Sequence, residues 1–162
     1  MSHLLNKKSV IKVKEYFLNN KIDIDLIVLN ESGRTAVDAA NSLNKEVGSI
    51  VKSLLVKDEI KNKFYLCLVS GDKYMSLNKL SKITNTNIVK ANADECKKIT
   101  GFSIGGVPPI GHLIPPKNIF IDNNLNKYEI IYAAAGHSHV VFGTSYENLC
   151  TMTNAIESDI TT

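Results

Sequence analysis

The segment GFSIGGVPPIGH, residues 101–112, concentrates four glycines and two adjacent prolines in a short stretch flanked by ordinary globular sequence. Glycine allows positive φ angles and lets a ligand approach the backbone closely, whereas proline fixes φ and lacks an N–H donor. A loop that combines both has a defined shape and a few free N–H groups, which can bind an anion or stabilise an oxyanion. We therefore predict a ligand-facing loop here, with a tight connection through the core as the purely structural alternative.

Hydrophobic periodicity and capping residues predict short helices and strands on both sides of this loop. The predicted helices cover about 9–19, 35–43, 76–83, 92–100 and 144–154, the last opened by a capping box from Thr144 to Glu147. The predicted strands cover 24–29, 50–56, 63–69, 87–90, 119–121, 129–135 and 140–142. The runs 50–56 and 63–69 are expected to pair as a hairpin, and the final polar residues to fray. Because the elements lack a regular βαβ alternation, we expect one α+β domain over 1–162, with a mixed, curved, barrel-like sheet surrounded by helices.

Composition restricts the classes of function. The chain has 162 residues and 44% hydrophobic content, enough for one core, but no apolar run long enough to span a bilayer. No apolar signal core follows the first lysines, and three widely spaced cysteines fit a reduced, cytoplasmic setting. The net charge of +3 permits an RNA or phosphate partner, although the basic residues are dispersed. Arg34 is the only arginine, and its planar fork is a candidate ligand contact.

Lys52 interrupts the apolar run 50–56 and is the charged candidate of the predicted hairpin. A lysine in an alternating strand ordinarily points to solvent. If it lies instead on the concave face of the sheet, its ammonium can bind a phosphate or a carbonyl oxygen as a point charge.

Nucleophilic catalysis has little support, because Cys67 fits a core position and Ser103 lacks a Gly-x-Ser-x-Gly context.

Three histidines, His112, His137 and His139, raise the question of a metal site. We disfavour this reading, because no Asp or Glu lies close to any of them in sequence and the cysteines are remote. The preferred functional candidate is His137, which follows Gly136 at a predicted strand-to-loop corner and can donate a hydrogen bond to a substrate. The roles of His112 and His139 stay open.

Several blocks of the chain resemble one family. These blocks are Arg34-Thr35-Ala36 with Ala39-Ala40, Ile50 to Leu54, Thr100 to Gly111, Ala135-Gly136-His137, and Val141-Phe142. In this order, over about Asp25 to Ala155, they resemble the YbaK and prolyl-tRNA-synthetase-insertion family of aminoacyl-tRNA editing domains. The resemblance implies hydrolysis of the ester that joins a wrong amino acid to the 3′ end of tRNA.

The resemblance also implies roles for particular residues. Lys52 matches the active-site lysine of the family, and Gly105 and Pro109 match the ends of its Gly-x-x-x-Pro motif. His137 matches a Gly-His position near the C-terminal strand. The Pro108-Pro109 pair and the segment 136–139 form an unusual combination that bears on amino-acid specificity.

The chemistry of an activated ester fits this reading, because its hydrolysis requires a positioned water and a stabilised oxyanion but no metal or covalent nucleophile. We expect a catalytic set of Lys52, Gly105, Gly106 and His137, with N–H groups of 105–107 as the oxyanion donors and a ribose hydroxyl assisting the water. The expected substrate contacts are Arg34, Thr35, Val107, Pro108, Pro109 and Gly136. No cofactor and no metal are expected.

The expected partner is the 3′ acceptor end of a mischarged tRNA, with an aminoacyl-tRNA synthetase as a further candidate and neither DNA nor a membrane involved. An alternative from another class is a non-catalytic module that binds an aminoacyl or nucleotide ligand for a translation enzyme. A metal hydrolase using the three histidines ranks last. The sequence does not identify the amino acid removed.

Overall fold

A computed structural model of the chain describes residues 2–162. Within that range there are five α-helices and eight strands, joined by short loops and three 3₁₀ turns. The helices are α1 Lys8–Asn19, α2 Ala36–Leu43, α3 Leu77–Thr84, α4 Ala93–Thr100 and α5 Tyr146–Thr153. The strands are β1 Leu26–Val28, β2 Val51–Asp58, β3 Phe64–Ser70, β4 Ile88–Lys90, β5 Asn118–Asp122, β6 Ile131–His137, β7 Val140–Thr144 and β8 Ile156–Ser158.

The strands form two sheets. One has three antiparallel strands in the order β1-β7-β6, and the other has five strands in the order β4-β2-β3-β5-β8, with β3-β5 and β5-β8 parallel. The α+β class and the mixed pairing are therefore confirmed. The single barrel-like sheet is corrected to two sheets, and within residues 2–162 they do not close into a barrel. Outside the named strands they are linked by one parallel bridge, Ile50 to Tyr132, and residues 51–55 of β2 line a cavity between the sheets.

The predicted hairpin is present as β2 and β3. Its antiparallel register runs from Val51 opposite Ser70 to Lys57 opposite Phe64, and it places Lys52 opposite Val69. The valines of both strands and the aromatic pair Phe64-Tyr65 are residue types that favour strands. The hairpin turn is closed by a buried carboxylate, because Asp58 Oδ1 accepts hydrogen bonds from the N–H groups of residues 60 and 61 at 2.9 and 3.2 Å.

Helix caps fix the segments next to the site. Asn92 and Glu95 form a reciprocal capping box at the start of α4, with hydrogen bonds of 2.8 and 3.0 Å. Gly101 ends α4 with φ of +84°, the left-handed conformation typical of that position. At the start of α2, Thr35 Oγ1 accepts from the Asp38 N–H at 3.1 Å.

Two predictions near the C-terminus were wrong. Helix α5 is capped by Ser145 rather than by Thr144, because Thr144 is still paired with Ile131 in the β6–β7 ladder. The last residues are not frayed: β8 pairs in parallel with β5, and Ile160 is fully buried. This pairing is remote in sequence, so local polarity gives no indication of it.

The main hydrophobic core joins α1 to buried residues of both sheets, from Phe142 of β7 to Leu66 of β3. Val10, Val13 and Phe17 form the buried face of α1, and the Phe17 ring meets Phe142 edge to face at 5.0 Å between centroids. None of the helices among residues 2–162 is long and apolar enough to cross a membrane.

Candidate active site

A cavity of about 550 Å³ lies between the two sheets. Its walls are the first half of β2, the start of α2, part of the 101–112 loop, and residues of β6 and β7. Most of the lining side chains are apolar. The charged side chains of the lining are Arg34, Lys52 and Lys90, and within the described chain no Asp, Glu or His reaches it. The cavity therefore suits a ligand with an apolar part and an anionic part.

The hairpin holds the Lys52 ammonium at this cavity. The side chain is half-buried, and its Nζ donates a hydrogen bond to the Lys73 carbonyl and lies 5.4 Å from the centroid of the Tyr74 ring. Burial lowers the pKa of Lys52, while the carboxylates of Asp72 and Asp122 act in the opposite direction. The result is a partly desolvated cation, in which each interaction with an anion is stronger than in bulk water.

The 101–112 loop is held at its base by hydrogen bonds to helix α4. The N–H groups of Leu113 and Ile114 donate to the carbonyls of Thr100 and Ile99, each at 2.9 Å. The buried Thr100 hydroxyl accepts from the Phe102 N–H at 3.0 Å and donates to the Cys96 carbonyl at 2.6 Å. These bonds fix both ends of the loop before any ligand is bound.

The three N–H groups of residues 105–107 are not equivalent. The Gly106 N–H donates to the Ser103 carbonyl at 3.0 Å, which closes a turn with Gly105 at φ of +95°. The N–H groups of Gly105 and Val107 have no acceptor within residues 2–162, and both residues line the cavity. The free N–H groups of Gly105 and Val107 therefore lie on either side of the Gly106 N–H, which is already hydrogen-bonded. This is the arrangement expected of an oxyanion or anion cradle.

His112 stabilises this loop through a hydrogen bond to Pro108. Its Nε2 is 2.6 Å from the Pro108 carbonyl oxygen, so the neutral ring donates from Nε2. Nδ1 is buried without a hydrogen-bond partner in the described part of the chain, and the ring packs near Phe102 at 6.3 Å between centroids. Burial lowers the pKa of His112 because a charged ring would be poorly solvated there.

The structure brings together half of the sequence-predicted site residues. The cavity is lined by Lys52, Gly105, Val107, Arg34 and Thr35. The other predicted residues lie outside its wall: Gly106, Pro108, Pro109, Gly136 and His137.

Of these outer residues, Gly136 and His137 belong to β6 and contact the loop at Gly106. The Gly136 N–H donates to the Gly106 carbonyl at 2.9 Å, and Gly136 adopts φ of +96° directly against the Ser9 carbonyl of α1. The His137 ring accepts from the His139 N–H at 3.1 Å through Nδ1. Burial lowers the pKa of His137. Neighbouring basic groups act in the same direction, and His139 contributes most among them.

The histidines do not converge on one point. His112 contacts Pro108, whereas the His137 and His139 rings lie together at 5.4 Å between centroids. Throughout residues 2–162, no group of three His, Cys, Asp or Glu side chains is placed to hold a metal ion.

Sequence reasoning did not single out several residues of the cavity wall, among them Tyr74, Lys90 and Ile104. Lys90 ends the short strand β4, and its pairing with Val56 of β2 brings it to the cavity. Tyr74 and Ile104 are 77% and 62% exposed although they line a cavity. Ile104 lies within the predicted ligand-facing loop, whereas the sequence around Tyr74 gives no indication of a site, so only the fold identifies Tyr74.

Fold and site together define an α+β ligand-binding domain in which a glycine-rich loop and a half-buried lysine face one cavity. The chain belongs to the aminoacyl-tRNA editing domain family, whose model matches residues 30–151. It is similar to a crystal structure described as a proposed trans-editing enzyme for prolyl tRNA synthetase, with 33% identity and a TM-score of 0.90 over 96% of this chain and 98% of that one. A crystal structure of a hypothetical protein matches with 26% identity and a TM-score of 0.85, over 93% of this chain and 99% of that one.

One relative is a full synthetase. The chain is 31% identical over 93 residues to a proline–tRNA ligase of Caldicellulosiruptor saccharolyticus. The match covers 57% of this chain but only 15% of the ligase.

Proposed function

We propose that the chain is a trans-editing aminoacyl-tRNA deacylase, which hydrolyses the ester of a mischarged tRNA. The observation that carries the proposal is the composition of one cavity: an apolar interior, three cations, and the free N–H groups of Gly105 and Val107. An aminoacyl ester on a terminal nucleotide has three parts that match these features. The amino-acid side chain matches the apolar interior, the carbonyl oxygen that becomes an oxyanion matches the N–H groups, and the adjacent phosphates match the cations.

In the proposed reaction, a water attacks the ester carbonyl carbon and forms a tetrahedral intermediate. The negative charge on its oxygen is stabilised by the Gly105 and Val107 N–H groups. The bond from the carbonyl carbon to the ribose oxygen then breaks, and the ribose oxygen takes up a proton. The products are a free amino acid and an uncharged tRNA.

No side-chain carboxylate or imidazole among residues 2–162 lines the cavity to accept the water's proton. We therefore assign the proton transfer to the substrate: the neighbouring hydroxyl of the terminal ribose takes the water's proton and passes its own proton to the departing ribose oxygen. Lys52 binds the terminal phosphate or the ester carbonyl, and Arg34 and Thr35 contact the substrate at the cavity edge.

The residues behind the loop act indirectly in this proposal. Gly136 holds Gly106 through the Gly136 N–H to Gly106 carbonyl bond, the His137 backbone lies directly against Gly106, and Gly106 in turn positions its two neighbours. Pro108 and Pro109 are buried outside the cavity wall, and in this proposal they stiffen the loop next to Val107. His137 is thereby a positioning residue rather than a group that touches substrate.

A panel of mischarged tRNAs tests the proposal. Wild type is expected to release the amino acid from at least one member, and Lys52→Ala to lower the rate by more than tenfold. Lys57→Ala is the matched control, because Lys57 lies on the same strand but pairs with Glu95 outside the cavity. Equal rates for wild type and Lys52→Ala would refute the role of Lys52, and a panel with no cleavage would refute the activity.

The lack of a protein base in the cavity also favours a second candidate, a non-catalytic module that binds an aminoacyl or nucleotide ligand. This module would retain mischarged tRNA without releasing the amino acid. Filter binding beside the deacylation assay separates the two functions. The same two assays, repeated with an aminoacyl-tRNA synthetase added, test whether the synthetase is a partner of the chain.

A further inference from the structure

We propose that Tyr74 is a stacking platform for the terminal nucleobase of the tRNA acceptor end. This inference rests on the proposed function, because it concerns how the same cavity holds its substrate. It assigns a binding role to a residue that none of the family blocks contains.

Tyr74 has an exposed ring on a fixed backbone. The side chain is 77% exposed although it lines the cavity, so it lies at the mouth. Its carbonyl accepts a hydrogen bond from the Thr162 N–H at 3.0 Å, and the next residue, Met75, bridges to Thr161. An uncovered aromatic ring on a fixed backbone provides a stacking surface, and only the side-chain torsions remain to be ordered when a base binds.

Burial varies along the cavity in a way that orients the substrate. The inner wall carries buried apolar residues such as Ala39, Val51 and Val141. The cations Arg34 and Lys90 and the ring of Tyr74 are exposed. An aminoacyl nucleotide therefore fits with its amino acid inward and its base and phosphates at the mouth.

The charge around Tyr74 favours a nucleotide over a peptide or an apolar ligand. Lys52 Nζ lies 5.4 Å from the ring centroid, so a base on this ring stands next to a cation that can bind its phosphate or ester. Aromatic stacking combined with nearby cations is the common way in which proteins bind single-stranded nucleic acid ends.

The test uses the whole chain and two small substrates: the aminoacyl ester of adenosine and the same ester on ribose without a base. With the adenosine ester, Tyr74→Ala is expected to raise KM by about 5- to 150-fold with little change in kcat, the range for loss of one base-aromatic stack. Tyr74→Phe should stay within about twofold of wild type. With the abasic ester, wild type and Tyr74→Ala should have the same KM.

Two further variants sharpen the result. Ile60→Ala removes a side chain that is 83% exposed in the β2–β3 turn and should leave KM unchanged. Tyr74→Leu keeps apolar bulk without a ring, so a KM equal to that of wild type would overturn stacking in favour of simple apolar contact. A fall in kcat rather than a rise in KM would show that Tyr74 acts through Lys52, and would also overturn the platform.

Failure of the platform is distinguishable from failure of the proposed function. If wild type cleaves the adenosine ester and Tyr74→Ala has the same KM, the platform is refuted and the deacylase stands. If wild type cleaves neither ester, titration with AMP by calorimetry decides the inference. Weaker AMP binding by Tyr74→Ala supports the platform in a binding module, whereas no AMP binding by wild type at millimolar concentration refutes it.

Discussion

Replacing Gly106 by alanine tests whether the backbone of Gly136 and His137 holds the glycine-rich loop in position. A Cβ placed at Gly106 would lie 2.8 Å from the His137 nitrogen and 2.9 Å from the Gly136 carbonyl carbon. Both are backbone atoms, so no side chain can rotate away to make room. The loop itself must move outward, and the Gly136 N–H to Gly106 carbonyl bond lengthens.

The size of the effect follows from the overpacking. Inserting a methyl group into a close-packed contact costs about 1–3 kcal/mol. For a chain of this length each kcal/mol lowers Tm by about 2–4 °C, so the expected fall is about 2–12 °C. Because the adjacent donors at Gly105 and Val107 move with the loop, kcat for deacylation should fall by about 10- to 100-fold.

Gly105→Ala is the comparison. Its Cβ would be 3.6 Å from the Arg34 side chain and 3.8 Å from Ser138, which is ordinary contact, but φ of +95° strains an alanine by about 1–2 kcal/mol. Urea denaturation and differential scanning calorimetry measure both variants. If Gly106→Ala is within 0.5 kcal/mol of wild type, as estimated for a surface change, the proposed support of the loop by Gly136 and His137 is wrong.

Three further predictions concern single residues. His112→Phe should lose about 1–3 kcal/mol of unfolding free energy by urea titration, because the Pro108 carbonyl loses its donor, and His112→Gln should recover part of it. Burial lowers the pKa of His112 in the folded state, so the unfolded chain binds more protons. The free energy of unfolding should therefore fall as the pH drops below the ordinary histidine pKa of about 6.5. In His112→Gln this fall should be smaller. The pKa of Cys67 is raised by burial to about 12, so its thiol should react with a disulfide reagent at pH 8 only after unfolding. Because Cys150 is partly exposed, the labelled residue is identified by peptide mapping, and labelling of Cys67 itself in the native protein would contradict the prediction.

Local signals predicted the elements around the site well. The β2–β3 hairpin follows from two apolar runs with a charged turn, and it carries Lys52 to the cavity. The capping box at Asn92 and the left-handed Gly101 mark both ends of α4, and hence the start of the loop. In each case the deciding interactions join residues a few positions apart, so the sequence contains both partners in one window.

The errors concern interactions between distant segments. The β6–β7 register shifts between Ala134 and His137, at a point where Gly136 lies against the Ser9 carbonyl of α1. This irregularity takes His137 out of the simple alternation, and His137 does not line the cavity. Tyr74 is likewise placed by the remote C-terminal residue Thr162. No periodicity within one segment indicates either contact.

The two adjacent glycines of the loop illustrate why a motif alone does not give a mechanism. Gly105 occupies the third position of the turn from Ser103 to Gly106 with φ of +95°, as a type II turn requires. Gly106 is required for a different reason, the close approach of the Gly136–His137 backbone. The turn consumes the Gly106 N–H and leaves its neighbours' donors free, while the prolines that follow contribute no donor. Donor selection is thus a consequence of turn geometry, and a variant that changes the turn should alter the oxyanion site even when Lys52 is intact.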